Sequence, residues 1–293
     1  MSQTIAFIGL GNMGGGMAAN LLAKGFAVRA FDLSAEAMAR AVAAGATACD
    51  SAAQAVVEAD AVVTMLPAGR HVEGVYTEEI FGHARLGTLF LDCSTIDVAT
   101  ARKVIAAASD KSFEMVDAPV SGGIAAANGG TLTFMVGGTN SAFVRAQPIL
   151  LAMGKAVIHA GDAGNGQAAK ICNNMLLGAT MIATCESFVM AKKLGLDPQT
   201  FYDIASVSSG QSWSMTSYCP VPGVGPASPA DNGYQGGFAV ALMLKDLKLA
   251  NEAAALVNAS VPMGANAQAL YQLLANQGEG GRDFSAIIEM LEK

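Results

Sequence analysis

An amine and an amide stand four residues apart in a long segment with few helix breakers. Lys170 and Asn174 lie near the start of a predicted helix that runs from residue 164 to about residue 195. Side chains four residues apart share one face of a helix, so these two can act on the same bound molecule. A lysine is disfavoured near the positive end of the helix dipole, which argues against a purely stabilising role. A solvated charge at the helix start is the alternative.

A glycine-rich turn near the start of the chain has the spacing of a phosphate-binding loop. The apolar run of residues 4–8 leads into Gly9, Gly11 and Gly14, and a helical pattern follows. In such a strand, turn and helix, the glycines permit a tight turn, the approach of a pyrophosphate and close helix packing. The amides and dipole of the helix N-terminus attract the phosphates. The expected cofactor-binding residues of the turn are Gly9, Gly11, Asn12, Met13 and Gly14.

An acidic residue after the second predicted strand indicates which dinucleotide binds. Residues 27–31 form a strand pattern that is followed by Asp32, 18 residues after Gly14. A carboxylate here accepts a hydrogen bond from the ribose 2′-hydroxyl and repels a 2′-phosphate, so we expect NAD rather than NADP. Arg29 lies nearby and weakens that preference. Asp32 could instead cap the next helix, although Ser34 competes for that position.

Two further loops are expected beside the dinucleotide. Apolar runs at residues 61–66 and 88–92 alternate with helical patterns, which predicts a parallel sheet. Ligands bind beyond the carboxyl ends of such strands, so Leu66, Pro67 and Thr95 are candidate cofactor contacts. Ordinary turn chemistry is the alternative, and Thr95 could also cap the helix that begins near residue 98.

The loop after the strand pattern of residues 113–117 has the composition of an anion-binding site. Consecutive amides at Ser121, Gly122 and Gly123, together with the Ser121 hydroxyl, can hold a carboxylate. The alternative is a Gly-Gly turn that binds nothing. Strand patterns at residues 132–138 and 156–159, with a helix between them, complete the predicted sheet.

Helical patterns dominate the chain from residue 164 onward, and Pro198 starts one of these helices at the first-turn position that tolerates proline. An irregular, proline-rich segment at residues 219–237 interrupts them, and loops of that length are usually functional. The sequence therefore predicts an α/β protein in two domains. Residues 1–163 form a Rossmann-type doubly wound sheet that binds the dinucleotide, and residues 164–293 form an all-α substrate and oligomerisation domain. The helix of residues 164–195 joins them.

Composition excludes several classes of partner. The net charge is −7, with no basic block and few aromatic residues, which argues against nucleic acid and anionic membranes. No apolar run has the length of a membrane span, and the first residues, including Met1 and Ser2, show no signal pattern, so a cytoplasmic protein is expected. The five cysteines show no paired spacing and the three histidines lie apart, so we expect reduced thiols and no metal site.

Four motifs in order resemble those of the β-hydroxyacid dehydrogenase family, and the resemblance spans nearly the whole chain. The matching segments are residues 9–14, 117–123, 166–174 and 232–238, the last leading into residues 245–247. Two departures stand out: Gly15-Gly16 replaces a bulkier pair, and residues 125–128 differ modestly from the family loop. Neither departure removes a chemical group.

The resemblance implies roles for individual residues. Lys170 would be catalytic, Lys245 would lie near nicotinamide and substrate, and the substrate would be held by Ser121, Gly122, Gly123 and Asn174. Residues 212–224 resemble the hydroxyisobutyrate branch, in which Trp213 and Tyr218 would form a wall of the pocket. Ordinary core aromatics are the alternative. Asp246 would orient Lys245 or pair with Lys248.

The implied activity is the NAD-dependent oxidation of 3-hydroxyisobutyrate to methylmalonate semialdehyde, a step of valine catabolism. Hydride would pass to the nicotinamide and the hydroxyl proton to Lys170. Because lysine must be neutral to accept a proton, oxidation is expected to have an alkaline optimum. One alternative is a dehydrogenase of another 3-hydroxy acid such as L-serine, and a second is a reductase of tartronate semialdehyde or succinic semialdehyde. A third is an NAD-binding regulatory module without turnover. The family forms dimers or tetramers, so a homodimer or homotetramer is expected.

Overall fold

The computed structural model describes residues 3–292, so the predicted start at Met1 and Ser2 and the last residue, Lys293, lie outside the described residues. The chain divides into two compact units, Met1–Lys170 and Ile171–Lys293. The boundary at residues 163 and 164 stays a prediction.

The first unit is built on one sheet. Its strands in chain order are β1 Thr4–Ile8, β2 Ala27–Phe31, β3 Thr47–Ala48, β4 Ala61–Thr64, β5 Leu89–Asp92, β6 Glu114–Asp117, β7 Val120–Ser121, β8 Leu132–Gly137 and β9 Gly154–Gly161. The spatial order is β3-β2-β1-β4-β5-β6-β8-β7, with β9 paired to β8. The order 3-2-1-4-5-6 is that of a doubly wound dinucleotide-binding sheet, which confirms the predicted fold class. The topological switch point lies between β1 and β4.

One part of the sheet departs from the prediction. Strands β3, β2, β1, β4, β5 and β6 are parallel, whereas β8 runs antiparallel to both β6 and β7. A parallel neighbour requires a crossover connection over one face of the sheet. The chain after β6 instead turns back through β7 and a short helix, and this reverses the direction of β8.

Helices cover both faces of the sheet. They are α1 Gly14–Ala23, α2 Ala35–Ala43, α3 Ala52–Val56, α4 Gly69–Gly74 with a π-helical extension Val75–Ile80, α5 Val98–Asp110, α6 Gly123–Gly129 and α7 Asn140–Leu151. Successive residues of β1 alternate between the faces: Ile5 and Phe7 join one apolar cluster, and Ala6 and Ile8 join the other. Because successive side chains of a strand point to opposite faces, β1 contributes to the apolar core on both sides of the sheet.

The second unit is helical. It contains most of α8 Asn165–Lys193, followed by α9 Pro198–Ala205, α10 Trp213–Thr216, α11 Val240–Leu256, α12 Pro262–Leu274 and α13 Ile287–Glu292. Pro198 occupies the first turn of α9 and Asp197 caps it, as the proline position predicts. The long α8 is apolar enough to cross a membrane by length and composition, but half of its apolar window is buried in the protein. Such burial is usual for a core helix.

The two departures from the family pattern meet in the first unit. A Cβ placed on Gly16 of α1 would overlap the side-chain oxygen of Asn128 and lie 3.0 Å from the carbonyl carbon of Ala127. The side-chain nitrogen of Asn20 donates to the carbonyl oxygen of Gly16 at 2.9 Å and to that of Ala127 at 2.7 Å. The missing side chain at Gly16 therefore lets α1 pack closely on the end of α6.

Candidate active site

In the glycine turn after β1, two glycines are required by the structure and a third faces open space. Gly9 has φ +93°, and a Cβ on Gly14 would overlap the carbonyl oxygen of Gly9. These two glycines are needed for the turn itself and for the approach of α1. Apart from Gly11 itself and its two chain neighbours, no atom of the described part of the chain lies within 4 Å of a Cβ built on Gly11. Gly11 therefore faces open space, where a pyrophosphate can approach the backbone.

The N-terminus of α1 also suits an anion. Among residues 3–292, no side chain caps this helix at Met13. The first amides of a helix lack partners within the helix, and a bound ligand can satisfy them. A dinucleotide phosphate therefore fits the residues present.

Asp32 has a fixed orientation at the end of β2. One carboxylate oxygen accepts from the Leu10 amide at 2.6 Å and the other from the Ser34 amide at 2.7 Å. Ser34 itself caps α2 by accepting from the Ala37 amide, so the alternative of Asp32 as the helix cap is wrong. The bond to Leu10 ties the acid to the glycine turn.

Arg29 is committed elsewhere. Its guanidinium donates to the carbonyl oxygens of Ala55, at 3.0 Å, and Gln54, at 2.6 Å. The arginine that weakened the expected preference for NAD is therefore held on α3.

The loops after β4 and β5 are joined to each other. The Leu66 amide donates to the Ser94 hydroxyl at 2.8 Å. Asp97 caps α5 by accepting from the Thr100 amide at 2.7 Å, so the interpretation of Thr95 as that cap is wrong. Thr95 lies in the β5–α5 loop at the carboxyl edge of the parallel strands, where ligands bind in open α/β sheets.

Beneath these loops lies a buried carboxyl group that the sequence analysis did not single out. One oxygen of Asp92 accepts from the Thr64 hydroxyl at 2.8 Å and from the Ser94 amide at 3.2 Å. Within the described chain its other oxygen has no hydrogen-bond partner. Burial raises the pKa of Asp92 to about 6, and hydrogen bonds from Ser94 and Thr64 oppose that rise.

The loop with Ser121 lies at the end of the sheet. Ser121 ends β7, and Gly122 and Gly123 follow with φ of +135° and +69°. Backbone angles in this range favour glycine, so the Gly-Gly pair is required by the turn. The Ser121 side chain is partly exposed and available to a ligand.

Lys170 sits in the second turn of α8 and is only 7% exposed. The start of this helix is held by Asp117 at the carboxyl end of β6. The Asp117 oxygens accept from the Gly164 and Gln167 amides, each at 2.8 Å. A carboxylate is stabilised at a helix N-terminus, although burial raises the pKa of Asp117. Asp117 belonged to a matched motif, but its spacing gave no sign of this capping role.

In the second unit, Asn174 is held by an acid from α11. Its amide nitrogen donates to Asp246 at 2.5 Å, and its oxygen accepts from Asn173 at 2.9 Å. Asn174 and Asp246 are both buried. Lys245 is partly exposed, and its nitrogen lies 3.9 Å from the other oxygen of Asp246. Asp246 thus lies close to Lys245, which it was expected to orient, and it also accepts a hydrogen bond from Asn174.

Trp213 and Tyr218 form a stacked pair, with ring centroids 4.8 Å apart. Trp213 is 51% exposed, so it is not an ordinary core aromatic. The Tyr218 hydroxyl donates to the buried Asp283 at 2.8 Å. Asp283 also accepts from the Phe238 amide at 2.7 Å, which ties the glycine-rich segment before α11 to the same group. No motif signalled Asp283.

Two family profiles together match almost the whole chain. The profile for the NAD binding domain of 6-phosphogluconate dehydrogenase matches residues 4–161. The profile for the NAD-binding region of NADP-dependent 3-hydroxyisobutyrate dehydrogenase matches residues 164–291.

Characterised proteins of similar sequence are dehydrogenases. The chain is 50% identical to a 3-hydroxyisobutyrate dehydrogenase of Pseudomonas aeruginosa, with 97% of this chain and 96% of that protein covered. It is 49% identical to an NAD-dependent L-serine dehydrogenase of the same organism, with 99% and 98% covered. A solved structure of Mycobacterium tuberculosis 3-hydroxyisobutyrate dehydrogenase with L-serine is 47% identical, covers both chains fully and has a TM-score of 0.97.

These similarities give no support to the alternative that the chain is an NAD-binding regulatory module without enzymatic turnover. The chain therefore belongs to the 3-hydroxyisobutyrate dehydrogenase group of the β-hydroxyacid dehydrogenase family, and it is an NAD-dependent oxidoreductase that acts on a CH–OH group.

Proposed function

We propose that the chain oxidises 3-hydroxyisobutyrate to methylmalonate semialdehyde and that Lys170 accepts the hydroxyl proton. The carbinol carbon loses a hydride and the hydroxyl group loses a proton, so one aldehyde, one NADH and one proton are formed. When bound, NAD accepts the hydride at the nicotinamide ring. In the reverse direction, Lys170 returns the proton to the aldehyde oxygen.

The burial of Lys170 carries this proposal. An amine that is only 7% exposed carries the cost of being removed from water. A protein tolerates such a cost at sites where the amine does chemistry. The capping of α8 by Asp117 supports the same role, because it fixes the first turn of the helix, next to the turn that carries the amine.

The remaining site residues take positions around the substrate in this proposal. Ser121, Gly122 and Gly123 bind the carboxylate, and Asn174 bonds the reacting hydroxyl. Asn174 can do so while bound to Asp246, because an amide has a second N–H and a second lone pair. Lys245 lies near the nicotinamide and the carboxylate. Trp213 and Tyr218 form the wall that fits the group on C2.

The cofactor contacts follow the same scheme. Gly9, Gly11, Asn12, Met13 and Gly14 hold the pyrophosphate, Asp32 holds the adenosine ribose, and Leu66, Pro67 and Thr95 lie along the dinucleotide. The engagement of Arg29 by α3 supports a preference for NAD over NADP.

L-Serine is the competing substrate. It differs from 3-hydroxyisobutyrate only at C2, where an ammonium replaces the methyl group, and relatives of both activities are almost equally similar. An ammonium group needs hydrogen-bond acceptors around it, whereas a methyl group needs apolar surface. In this proposal the rings of Trp213 and Tyr218 supply the apolar surface for the methyl group.

The experiment measures initial rates of NADH formation from 3-hydroxyisobutyrate and from L-serine. The reduction of tartronate semialdehyde and of succinic semialdehyde by NADH is measured as well. Lys170→Ala should lower kcat by about 10³-fold or more, while NAD still binds. Lys155→Ala, which removes an exposed lysine of β9, is the matched control and should keep the native rate. A higher kcat/KM for L-serine than for 3-hydroxyisobutyrate would overturn the substrate assignment. A native rate in Lys170→Ala would overturn the assignment of Lys170 as the proton acceptor.

The setting of the enzyme is also a proposal. We place it in the cytoplasm, in valine catabolism and in a homodimer or homotetramer. Apolar side chains are exposed on α8, at Leu176 and Met190, and just after its end, at Leu194. Such a surface suits a contact between subunits. Light scattering on the purified protein measures the oligomer directly.

A further inference from the structure

One fully buried amide joins the loop of Thr95 to the helix of Lys170. The side-chain nitrogen of Gln167 donates to the Ser94 carbonyl at 2.7 Å, and its oxygen accepts from the Ile96 amide at 3.1 Å. Gln167 is 0% exposed. Both of its polar atoms therefore bond to the backbone on the two sides of Thr95.

The same amide lies one turn from the proposed proton acceptor. Gln167 and Lys170 are three residues apart on α8, so they are neighbours along one side of the helix. Ser94 is in turn bonded to the Leu66 amide through its hydroxyl. Hydrogen bonds through Gln167 and Ser94 thus connect both predicted cofactor loops to the first turn of α8, next to the turn that carries Lys170.

We propose that Gln167 is a positioning residue that sets the Lys170 amine relative to the loops holding the nicotinamide end of the cofactor. This inference rests on the proposed function, because it requires Lys170 to be the proton acceptor. Two hydrogen bonds to adjacent parts of one loop fix both its distance and its direction from α8. An amide is suited to this task because it donates and accepts at once, without a charge to bury.

The variants test the two atoms of the amide. Gln167→Met keeps the length of the side chain and removes both bonds, so the Ser94 carbonyl and the Ile96 amide lose their partners. Gln167→Glu keeps the shape and the acceptor for Ile96 but places an oxygen against the Ser94 carbonyl. Asn165→Ala is the matched control, because the Asn165 side chain lies in the same helical turn and bonds the Ala160 carbonyl of β9.

The expected result is a loss of chemistry beyond any loss of fold. In Gln167→Met, kcat should fall about 10-fold to 100-fold, which is the effect of a displacement of roughly 1 Å at a reacting group. The primary deuterium isotope effect with substrate labelled at the carbinol carbon should rise, because hydride transfer becomes limiting. Gln167→Glu should lose less at low pH, where a protonated carboxyl can still donate to Ser94, than at high pH. Asn165→Ala should keep the native isotope effect.

A double-mutant cycle separates positioning from general destabilisation. If Gln167 acts through Lys170, then Gln167→Met in a Lys170→Ala background should change kcat by less than about twofold. The same factor in both backgrounds would overturn the inference, and so would a native kcat and isotope effect in Gln167→Met. If Gln167→Met fails to fold by circular dichroism, the pH dependence of Gln167→Glu decides, and a ratio to native that is constant with pH counts against the inference. A native rate in Lys170→Ala alone overturns the proposed function instead.

Discussion

The side-chain nitrogen of Asn174 donates to the buried carboxylate of Asp246 at 2.5 Å, across two helices and 72 residues of sequence. This bond fixes which end of the Asn174 amide is the donor, an assignment that otherwise depends on the surrounding network. Gly178, one turn further along α8, allows the approach: a Cβ there would lie 3.2 Å from side-chain atoms of Met243 and Leu247 on α11. Close helix packing thus brings the acid to the amide.

Replacing Asp246 with Ala should lower kcat about 10-fold to 100-fold, because a buried amide loses a charged partner worth roughly 1.5–3 kcal/mol. Asp246→Asn should recover part of that loss, since its oxygen can still accept from Asn174. Steady-state kinetics with 3-hydroxyisobutyrate measure both. Glu252→Ala, which removes an exposed acid from the same helix, is the control. A native kcat in Asp246→Ala would mean that the orientation of Asn174 is irrelevant to turnover.

The glycine turn offers a matched pair of substitutions. Gly14→Ala should destabilise the protein by about 1–3 kcal/mol, because its Cβ would overlap the Gly9 carbonyl oxygen. Gly11→Ala meets open space in the described structure, so its unfolding free energy should stay within about 0.5 kcal/mol of native. Its affinity for NAD should nevertheless fall about 10-fold or more, because the methyl group occupies the path of the pyrophosphate. Urea unfolding and calorimetric titration of NAD distinguish the two effects, and unchanged affinity in Gly11→Ala would place the pyrophosphate elsewhere.

The cofactor preference should depend on Asp32. Asp32→Asn removes the charge that repels a 2′-phosphate but keeps an acceptor for the Leu10 amide. The ratio of kcat/KM for NAD to that for NADP should therefore fall about 10-fold to 100-fold, as expected for a charged hydrogen bond of roughly 1.5–3 kcal/mol. Glu36→Gln, at an exposed acid on the next helix, controls for net charge. A ratio unchanged by Asp32→Asn would assign the preference to another residue.

The sequence predicted those features that depend on neighbours along the chain. The strand, turn and helix around Gly9 and Gly14, the order of α/β units and the helix that starts at Pro198 are all local patterns, and the structure contains them. The partners of buried polar groups were not predictable in this way. Gln167 lies 73 residues from its partner Ser94, and Tyr218 lies 65 residues from its partner Asp283. No spacing rule relates residues that are so far apart in the chain. The antiparallel β8 was missed because alternating strands and helices do not reveal a chain that turns back.

The aromatic pair should separate a structural hydroxyl from a substrate-facing ring. Because the Tyr218 hydroxyl already donates to Asp283, Tyr218→Phe should cost about 1 kcal/mol of stability and leave kcat/KM within about threefold of native. Trp213 is half exposed, so Trp213→Ala should cost little stability but lower kcat/KM about 10-fold through lost ring contact. Thermal unfolding and kinetics on both variants provide the measurement. A large kinetic loss in Tyr218→Phe would show that the hydroxyl contacts substrate.

The buried carboxyl of Asp92 should give the protein a distinctive dependence of stability on pH. Its pKa of about 6 lies above the ordinary value of 3.8, so the folded state holds this proton more tightly than the unfolded state does. The stabilisation from that proton is fully present below about pH 4 and is lost as the pH rises to about 6. The Asn side chain of Asp92→Asn cannot titrate, so the variant lacks this effect. Between about pH 4 and pH 6, the native protein should therefore lose about 2–3 kcal/mol of unfolding free energy relative to the variant. Asp110→Asn, at an exposed acid on α5, should show no such change relative to native. Urea unfolding at several pH values measures the slope, and parallel curves for native and Asp92→Asn would mean that the pKa of Asp92 is not raised in the folded protein.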